Sequence, residues 1–407
     1  MFHYLLSRLE NKSHPLLGPT LWGLQSWGIW QPRKGLFTKI YNIIHFVAIL
    51  FVLSQYVELW FIRSNLEMAM RNVSVSMLST VCVVKAITFI IWQKYWRAII
   101  NFVSNTEKNQ MARRDFVTNK IIKRYTSYCR KITLLYWVLT FATVLTVILA
   151  PLASFLSSSE YRNNVRNGFL PHPEIMSSWA PFDKTHGYGY WVLVIEHVFI
   201  CFYGGGIVAN YDTNAVVLMS FFKGQLEILK TDCSRLFDNE DPNLSCHEII
   251  TRIKRCHNHH CDSILYTIFR YSKMLDSLLS PVMFLYIIIC SLMICASAVQ
   301  LNMNGITSMQ RIWIAEYLLA LIAQLFLYCW HSNTVMFSSL TVDEGVYASA
   351  WWSQGVPVRR SVALLGAQLK RTIVFTAGPF TELTVATFVT ILKGSYSYYT
   401  ILSKRDN

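Results

Sequence analysis

The side chains best suited to chemistry are concentrated in one polar stretch. Cys246 and His247 precede the sequence CHNHHC, which runs from Cys256 to Cys261. On a helix, residues four apart share a face, so two pairs of sulfur and imidazole would each point the same way. These groups suit zinc, but structural zinc sites need four ligands at fixed spacing, and cysteines separated by four residues do not match the common fingers. We therefore expect a solvated cytoplasmic helix and no metal.

A glycine-rich stretch is the other conventional sign of chemistry. The sequence YGGGIVANYD runs from Tyr203 to Asp212. A phosphate-binding loop would follow a strand and precede a Lys-Ser/Thr pair, and neither is present here. Glycines inside an apolar helix instead allow close contact between helices. We predict a protein without catalytic residues or a cofactor, and therefore not an enzyme.

The composition indicates an all-α membrane protein. The 407 residues are 53% hydrophobic and 15% charged, with a mean hydropathy of +0.33. A soluble chain carries about 25% charged residues. Seven apolar runs are near the length of a bilayer crossing. They lie at about 38–61, 70–92, 131–155, 187–222, 280–302, 312–340 and 377–402.

Lysine and arginine define the expected orientation of these seven spans. If the N-terminus is cytoplasmic, 26 of the 37 basic residues fall in cytoplasmic segments and eight fall outside the cell. The positive-inside rule then puts the C-terminus outside, which is the reverse of a G-protein-coupled receptor. It also explains the net charge of +14 without nucleic acid. None of the ten cysteines falls in an outside loop, so no extracellular disulfide is expected.

The predicted organisation follows from the spans and their orientation. Its segments are a cytoplasmic N-terminal segment 1–37, spans one to four over 38–222 with an extracellular loop 156–186, a cytoplasmic helical region 223–279, spans five and six over 280–340, a cytoplasmic helix or loop 341–376, and the last span 377–402.

Ionisable residues inside spans are functional candidates because a charge in a bilayer is costly. Glu58 and Lys85 lie near span ends, where we expect the side chains to snorkel to the interface. Glu196, His197 and Glu316 lie within the fourth and sixth spans. These three are predicted either to line a cavity or to form hydrogen bonds between helices.

Aromatic and hydroxyl side chains in the outer half could wall a small apolar pocket. Aromatic belts at the membrane interface are the alternative, and they account best for residues at the very ends of the spans. The deeper residues are the predicted ligand-binding set: Thr143, Thr146, Val147, Trp191, Ile195, Phe199, Tyr317 and Leu321.

The last span is unusually polar, because nine of the nineteen residues from Thr384 to Leu402 carry a hydroxyl group. One helix face is small and hydroxylated for three turns, then carries a large apolar residue and a charge. That face could pack against partner helices, or around a symmetry axis it could line a pore with a hydrophobic constriction. Its residues are Thr387, Thr390, Gly394, Ser397, Ile401 and Lys404.

Several motifs together resemble those of insect odorant receptors of the odour-binding, tuning kind. The strongest is AGPFTELTVATFVTILKGSYSYYTIL, from Ala377 to Leu402, followed by VYASAWW from Val346 to Trp352. Pro357, His260 and the N-terminal LGPTLWGLQSWGIWQP also fit. The related gustatory receptors usually end in Thr-Tyr, five residues and Gln-Phe, which this chain lacks. The coreceptor of odorant receptors has a longer second cytoplasmic loop.

The resemblance implies a tetrameric, non-selective cation channel in the plasma membrane of an olfactory neuron dendrite, formed with the coreceptor and surrounded by lipid. Each subunit would donate its last helix to the pore, with Ile401 at the gate and Lys404 at the outer mouth. A small apolar odorant would bind among spans two, three, four and six beneath the second outside loop. A gustatory-type channel and a metabotropic seven-helix receptor are the alternative functions.

Overall fold

The chain forms a bundle of long helices in a computed structural model, which describes residues 11, 13–32, 35–113, 115–157, 159–167, 172–184, 187–237, 262–302 and 308–405. The helices are α1 (Gly18–Ser26), α2 (Leu36–Ile62), α3 (Leu66–Ile91), α4 (Gln93–Ala112), α5 (Phe116–Ser157), α6 (Ser159–Arg166), α7 (Gly187–Ser234), α8 (Asp262–Asn302), α9 (Ser308–Leu340), α10 (Asp343–Ala348), α11 (Val356–Leu369) and α12 (Val385–Arg405). A short 3₁₀ turn, Trp351–Ser353, separates α10 from α11.

Six of the described helices are long and apolar enough to cross a membrane, and they match the first six predicted spans. Their membrane-compatible parts are Leu36–Ile62, Met68–Ile91, Phe116–Ala153, Gly187–Ser234, Leu265–Ala298 and Arg311–Leu340. At 1.5 Å per residue, the 48 residues of α7 measure about 72 Å, more than twice the thickness of the hydrocarbon core. The fourth span therefore continues beyond the bilayer as a helix.

The seventh predicted span becomes helical later than expected, because α12 begins only at Val385. Two short antiparallel strands, β1 (Thr376–Ala377) and β2 (Thr381–Glu382), occupy the positions before it. Gly378 turns between them with φ at +67°, and Pro379 follows. A residue before proline avoids the helical region, and a positive φ excludes it. The Gly-Pro pair thus forms a hairpin where the apolar pattern predicted a helix.

The central helix of the bundle is α7, which packs against α1, α3, α5, α9 and α10. The glycines of its YGGG stretch allow neighbouring side chains to approach the α7 backbone closely. A Cβ atom at Gly205 would lie 2.4 Å from the Val144 side chain, and one at Gly206 would lie 2.1 Å from Trp27. The interpretation of these glycines as close-packing positions is confirmed.

The N-terminal segment is held to the bundle by two buried charged residues. Glu107 of α4 accepts a hydrogen bond from the Leu16 amide at 2.9 Å. Arg130 of α5 donates to the carbonyl oxygens of Leu16 and Pro15 at 3.0 and 2.5 Å. Burial raises the pKa of Glu107 to about 7, although the Leu16 amide and Arg130 both oppose the shift.

Candidate functional site

A cavity of about 150 Å³ lies between α2, α3, α5, α7 and α9. Residues of α2, α3 and the loop after α6 form one part of its wall: Ala48, Phe51, Val52, Val75, Leu78, Ser79, Cys82, Val83 and Met176. The other part comes from α5, α7 and α9: Tyr136, Leu139, Thr140, Thr143, Val144, Val147, Ile200, Cys201, Tyr203, Gly204, Gly205, Val208, Tyr317, Ala320, Leu321 and Gln324. An apolar cavity of this volume holds a molecule about as large as benzene, or slightly larger.

Four of the eight predicted ligand-binding residues line this cavity: Thr143, Val147, Tyr317 and Leu321. Thr146 does not line it, and its hydroxyl donates to Glu316 at 2.9 Å. Thr143 makes an equivalent bond to the same carboxylate. Glu316 therefore joins α9 to α5, which is the hydrogen-bonding role among the two that the sequence allowed.

The three predicted ligand-binding residues of α7 lie outside this cavity. Trp191, Ile195 and Phe199 are 63%, 68% and 51% exposed on the outer surface of the chain. The lining residues Ile200 and Cys201 are next along the helix. Because α7 is apolar on every face, its sequence does not show which face points inward.

The loop after α6 closes the bundle above the cavity. Its Ser177 carbonyl accepts from Asn72 of α3 at 2.8 Å, and the Trp179 amide donates to the Ser54 carbonyl of α2 at 3.2 Å. His197 of α7 is fully buried and bonds Ser178 at 2.9 Å. His197 thus holds the loop and does not line the cavity.

A second set of contacts on this loop is ionic. Lys184 lies 2.7 Å from Glu58 of α2 and 3.5 Å from Glu174, and it also donates to the Ser178 carbonyl. Burial raises the pKa of Glu174, and the neighbouring Lys184 opposes that shift. The snorkelling prediction for Glu58 is wrong, because its carboxylate is 13% exposed and paired with the loop.

Directly beneath the cavity lies a buried cluster of polar groups centred on Asp212 of α7. One carboxylate oxygen is 2.5 Å from Lys85 Nζ and 2.6 Å from the Tyr328 hydroxyl. The other accepts from the Tyr136 hydroxyl at 2.7 Å and from Gln324 Nε2 at 2.6 Å. Tyr136 and Gln324 also line the cavity, so they connect it to the cluster.

The snorkelling prediction for Lys85 is therefore wrong as well. Its ammonium is fully buried and lies 5.3 to 5.9 Å from the ring centres of Tyr211, Tyr286 and Tyr328. Sequence reasoning did not single out Asp212. A lysine and an aspartate in different apolar spans are complementary charges, and this was the signal that could have paired them.

The last helix packs on α8 and α9 and leaves one face open in the single chain. Thr390 and Ser397 are exposed on that face, and their hydroxyls donate to carbonyls of the same helix. Thr387 and Gly394 lie at its edge, and a Cβ atom added at Gly394 would meet nothing within 4 Å. The side chains of Ile401 and Lys404, and the cysteine and histidine stretch from 246 to 261, lie outside what the structure describes.

The same helix packs against α9, which also lines the cavity. The rings of Phe326 and Phe388 lie 5.4 Å apart, and Phe326 is two residues from Gln324. Ile391 and Leu392 pack on the bundle core from the same side of α12.

Comparison with known proteins agrees with this architecture. The sequence profile described as 7tm Odorant receptor matches residues 65–396. Odorant receptor Or2 of Anopheles gambiae is 28% identical over 159 residues, which are 39% of this chain and 40% of that receptor. Odorant receptor 10 of Aedes albopictus is 27% identical over 140 residues, 34% of this chain and 37% of the relative. The chain thus aligns with about two fifths of the length of these relatives.

The fold has a solved counterpart. The structure of the insect olfactory receptor OR5 from Machilis hrabei in complex with eugenol superposes with a TM-score of 0.79 at 17% identity, covering 95% of this chain and 97% of that one. This likeness establishes the fold, and the profile match over most of the sequence establishes the family. The chain is a multi-pass membrane protein that belongs to the 7tm odorant receptor family.

Proposed function

We propose that this chain is the odour-binding subunit of an odour-gated cation channel, formed with a coreceptor as a tetramer in the dendritic membrane of an olfactory neuron.

The cavity carries this proposal. It is enclosed by five helices and the loop after α6, and its wall is mostly aliphatic and aromatic. Burial of about 150 Å² of apolar ligand surface contributes roughly 4 kcal/mol before ordering costs, far below the about 12 kcal/mol that nanomolar binding requires, so we expect weak binding. The ligand is therefore a small, largely apolar volatile.

Gating follows from the contacts between the cavity and the last helix. Ligand bound against α9 favours one of two packings of the bundle, and Phe326 transmits the shift to Phe388 of α12. The ligand shifts this equilibrium only by the difference between its affinities for the two packings. Four copies of α12, one from each subunit, would line the pore, with Ile401 as the constriction.

The orientation of the termini distinguishes this channel from a metabotropic receptor. The distribution of basic residues supports a cytoplasmic N-terminus and an extracellular C-terminus. Antibody against a tag placed after Asn407 should therefore label intact cells. Labelling only after permeabilisation would contradict the proposed topology and the channel with it.

The need for a coreceptor is tested by expression in oocytes. A lysine at the outer mouth of all four subunits would oppose cation entry, whereas one or two would be tolerated. We expect odour-evoked current from the co-expressed pair and little from this chain alone. A robust current without the partner would refute the heteromeric assignment.

The pore assignment is tested with cysteines in the last helix. Thr390→Cys and Ser397→Cys, on the exposed face, should react with a small charged thiol reagent chiefly during odour application. Leu392→Cys is the matched control, because Leu392 packs against the bundle core. Equal reactivity at all three positions would mean that α12 does not line the pore.

A further inference from the structure

The hydrogen-bonding groups in the cavity wall are almost all engaged by the protein itself. Nine lining side chains carry a proton on oxygen, nitrogen or sulfur. Three of them, Ser79, Cys82 and Thr140, donate to backbone carbonyls at 3.0, 3.7 and 2.9 Å. The Thr143 hydroxyl has two acceptors for its one proton, the Leu139 carbonyl at 3.0 Å and Glu316 at 2.9 Å. A ligand that accepts hydrogen bonds would have to displace one of these acceptors.

The hydroxyls of two lining tyrosines are directed at acceptors outside the cavity. Tyr136 donates to Asp212 at 2.7 Å, and Tyr317 points at the Met293 sulfur at 3.9 Å. Neither acceptor lines the cavity. These tyrosines therefore present apolar ring atoms to a ligand.

The hydroxyl of Tyr203 is engaged in the same way. It lies 2.5 Å from Nδ1 of His45, whose Nε2 is 3.2 Å from the Gly28 carbonyl. A carbonyl only accepts, so Nε2 carries the proton of the neutral ring and Nδ1 accepts from Tyr203. Two lining donors remain. They are the Cys201 thiol, which is a weak donor, and the amide of Gln324.

Gln324 keeps unused hydrogen-bonding capacity. Its Nε2 gives one N–H to Asp212 at 2.6 Å, which fixes the orientation of the amide because a carboxylate paired with Lys85 accepts and does not donate. Among the described residues this is the only hydrogen bond of the Gln324 side chain, so the second N–H and the carbonyl oxygen are left for a ligand. Gln324 is 5% exposed and lines the cavity.

From this inventory we infer that Gln324 determines ligand specificity and that the receptor favours small volatiles carrying a single hydroxyl group, alcohols or phenols. This inference rests on the proposed odorant-binding function of the cavity. A hydroxyl both donates and accepts, so it uses the free carbonyl and the free N–H of Gln324. An aldehyde, ketone or ester uses only the N–H, and a hydrocarbon uses neither. The body of the ligand packs on the apolar wall.

The test compares toluene, benzaldehyde and benzyl alcohol, which have similar sizes, on the complex with the coreceptor. The measured quantity is the half-maximal concentration for current. In the wild type, benzaldehyde should be about fivefold less potent than benzyl alcohol, as expected for one net hydrogen bond. In Gln324→Leu, the potency of benzyl alcohol relative to toluene should fall about tenfold, and that of benzaldehyde should fall less.

Two control variants separate this role from a structural one. Thr140→Val removes a cavity hydroxyl that is already engaged, and Tyr328→Phe removes a different bond to Asp212 outside this cavity. In both variants, the relative potencies of the three volatiles should stay within about twofold of those in the wild type, even if the maximal current falls. The response to toluene and surface labelling report whether each variant folds, and Gln324→Met replaces the leucine variant if it does not reach the surface.

Equal potency of benzyl alcohol and benzaldehyde in the wild type would overturn the inference while leaving the receptor function intact. Unchanged potency ratios in the Gln324 variant would also overturn the inference. So would a loss of benzyl alcohol potency in Thr140→Val equal to that in Gln324→Leu. A wild-type complex silent to all volatiles would instead refute the proposed function, and the inference with it.

Discussion

Replacement of Asp212 by asparagine should be the most damaging single polar substitution in the bundle interior. The carboxylate accepts four hydrogen bonds, from Lys85, Tyr136, Gln324 and Tyr328. An asparagine has one oxygen and an NH₂ group in place of the second oxygen. That NH₂ group would face two donors, and the ammonium of Lys85 would lose its counter-ion.

The magnitude follows from the burial of the pair. Lys85 is 0% exposed and the Asp212 side chain is 3% exposed, so water does not replace the lost partner. Removal of one partner of a buried ion pair costs about 3 to 5 kcal/mol. Lys85→Met should cost less, about 2 kcal/mol, because three neutral donors still bind the Asp212 carboxylate.

The double variant Lys85→Met/Asp212→Asn removes both charges together. Its loss of unfolding free energy should be smaller than the sum of the two single losses by at least about 2 kcal/mol, since no unpaired ion remains in the double variant. The assay is the temperature at which half of the detergent-solubilised complex remains monodisperse, combined with surface labelling. Additive losses, or a larger loss in Lys85→Met than in Asp212→Asn, would refute the buried pair as the organising contact.

Leu321→Trp should fill much of the cavity and lower odour potency more than tenfold in current recordings, whereas Trp191→Ala, on the outer surface, should leave potency unchanged. Lys184→Met leaves two part-buried carboxylates without their shared cation, so the loop should open more readily and the current should decay faster after odour washout. Glu107→Gln should remove a pH dependence of thermal stability. The pKa of Glu107 is about 7 in the folded chain and 4.5 ordinarily, so the folded chain binds this proton more tightly than the unfolded chain. The stabilisation that the proton gives is fully present below about pH 4.5 and is lost as the pH rises through 7.

Each of these predictions has a distinct contradicting outcome. A large loss of potency in Trp191→Ala would move the binding site to the outer face of α7. Unchanged washout in Lys184→Met would mean that backbone bonds alone hold the loop. For Glu107, equal pH dependence in the wild type and Glu107→Gln would assign the titration to another group.

The amino-acid sequence alone located the six long apolar helices, because a bilayer-crossing helix needs about 20 apolar residues and such runs are visible without a structure. It also indicated the family, through motifs near the end of the chain. It did not determine the start of the last helix, where Gly378 and Pro379 override the apolar pattern with a local turn.

Which faces of the helices meet was decided only by the tertiary structure. In spans that are apolar all round, periodicity carries no information on rotation, so it could not show that Thr143 and Tyr317 line the cavity while Trp191 lies on the outer surface. The pairing of Lys85 with Asp212, 127 residues apart, was likewise beyond local sequence. A charge in a membrane span signals that a partner is needed, but the packing of the helices decides which partner lies within reach.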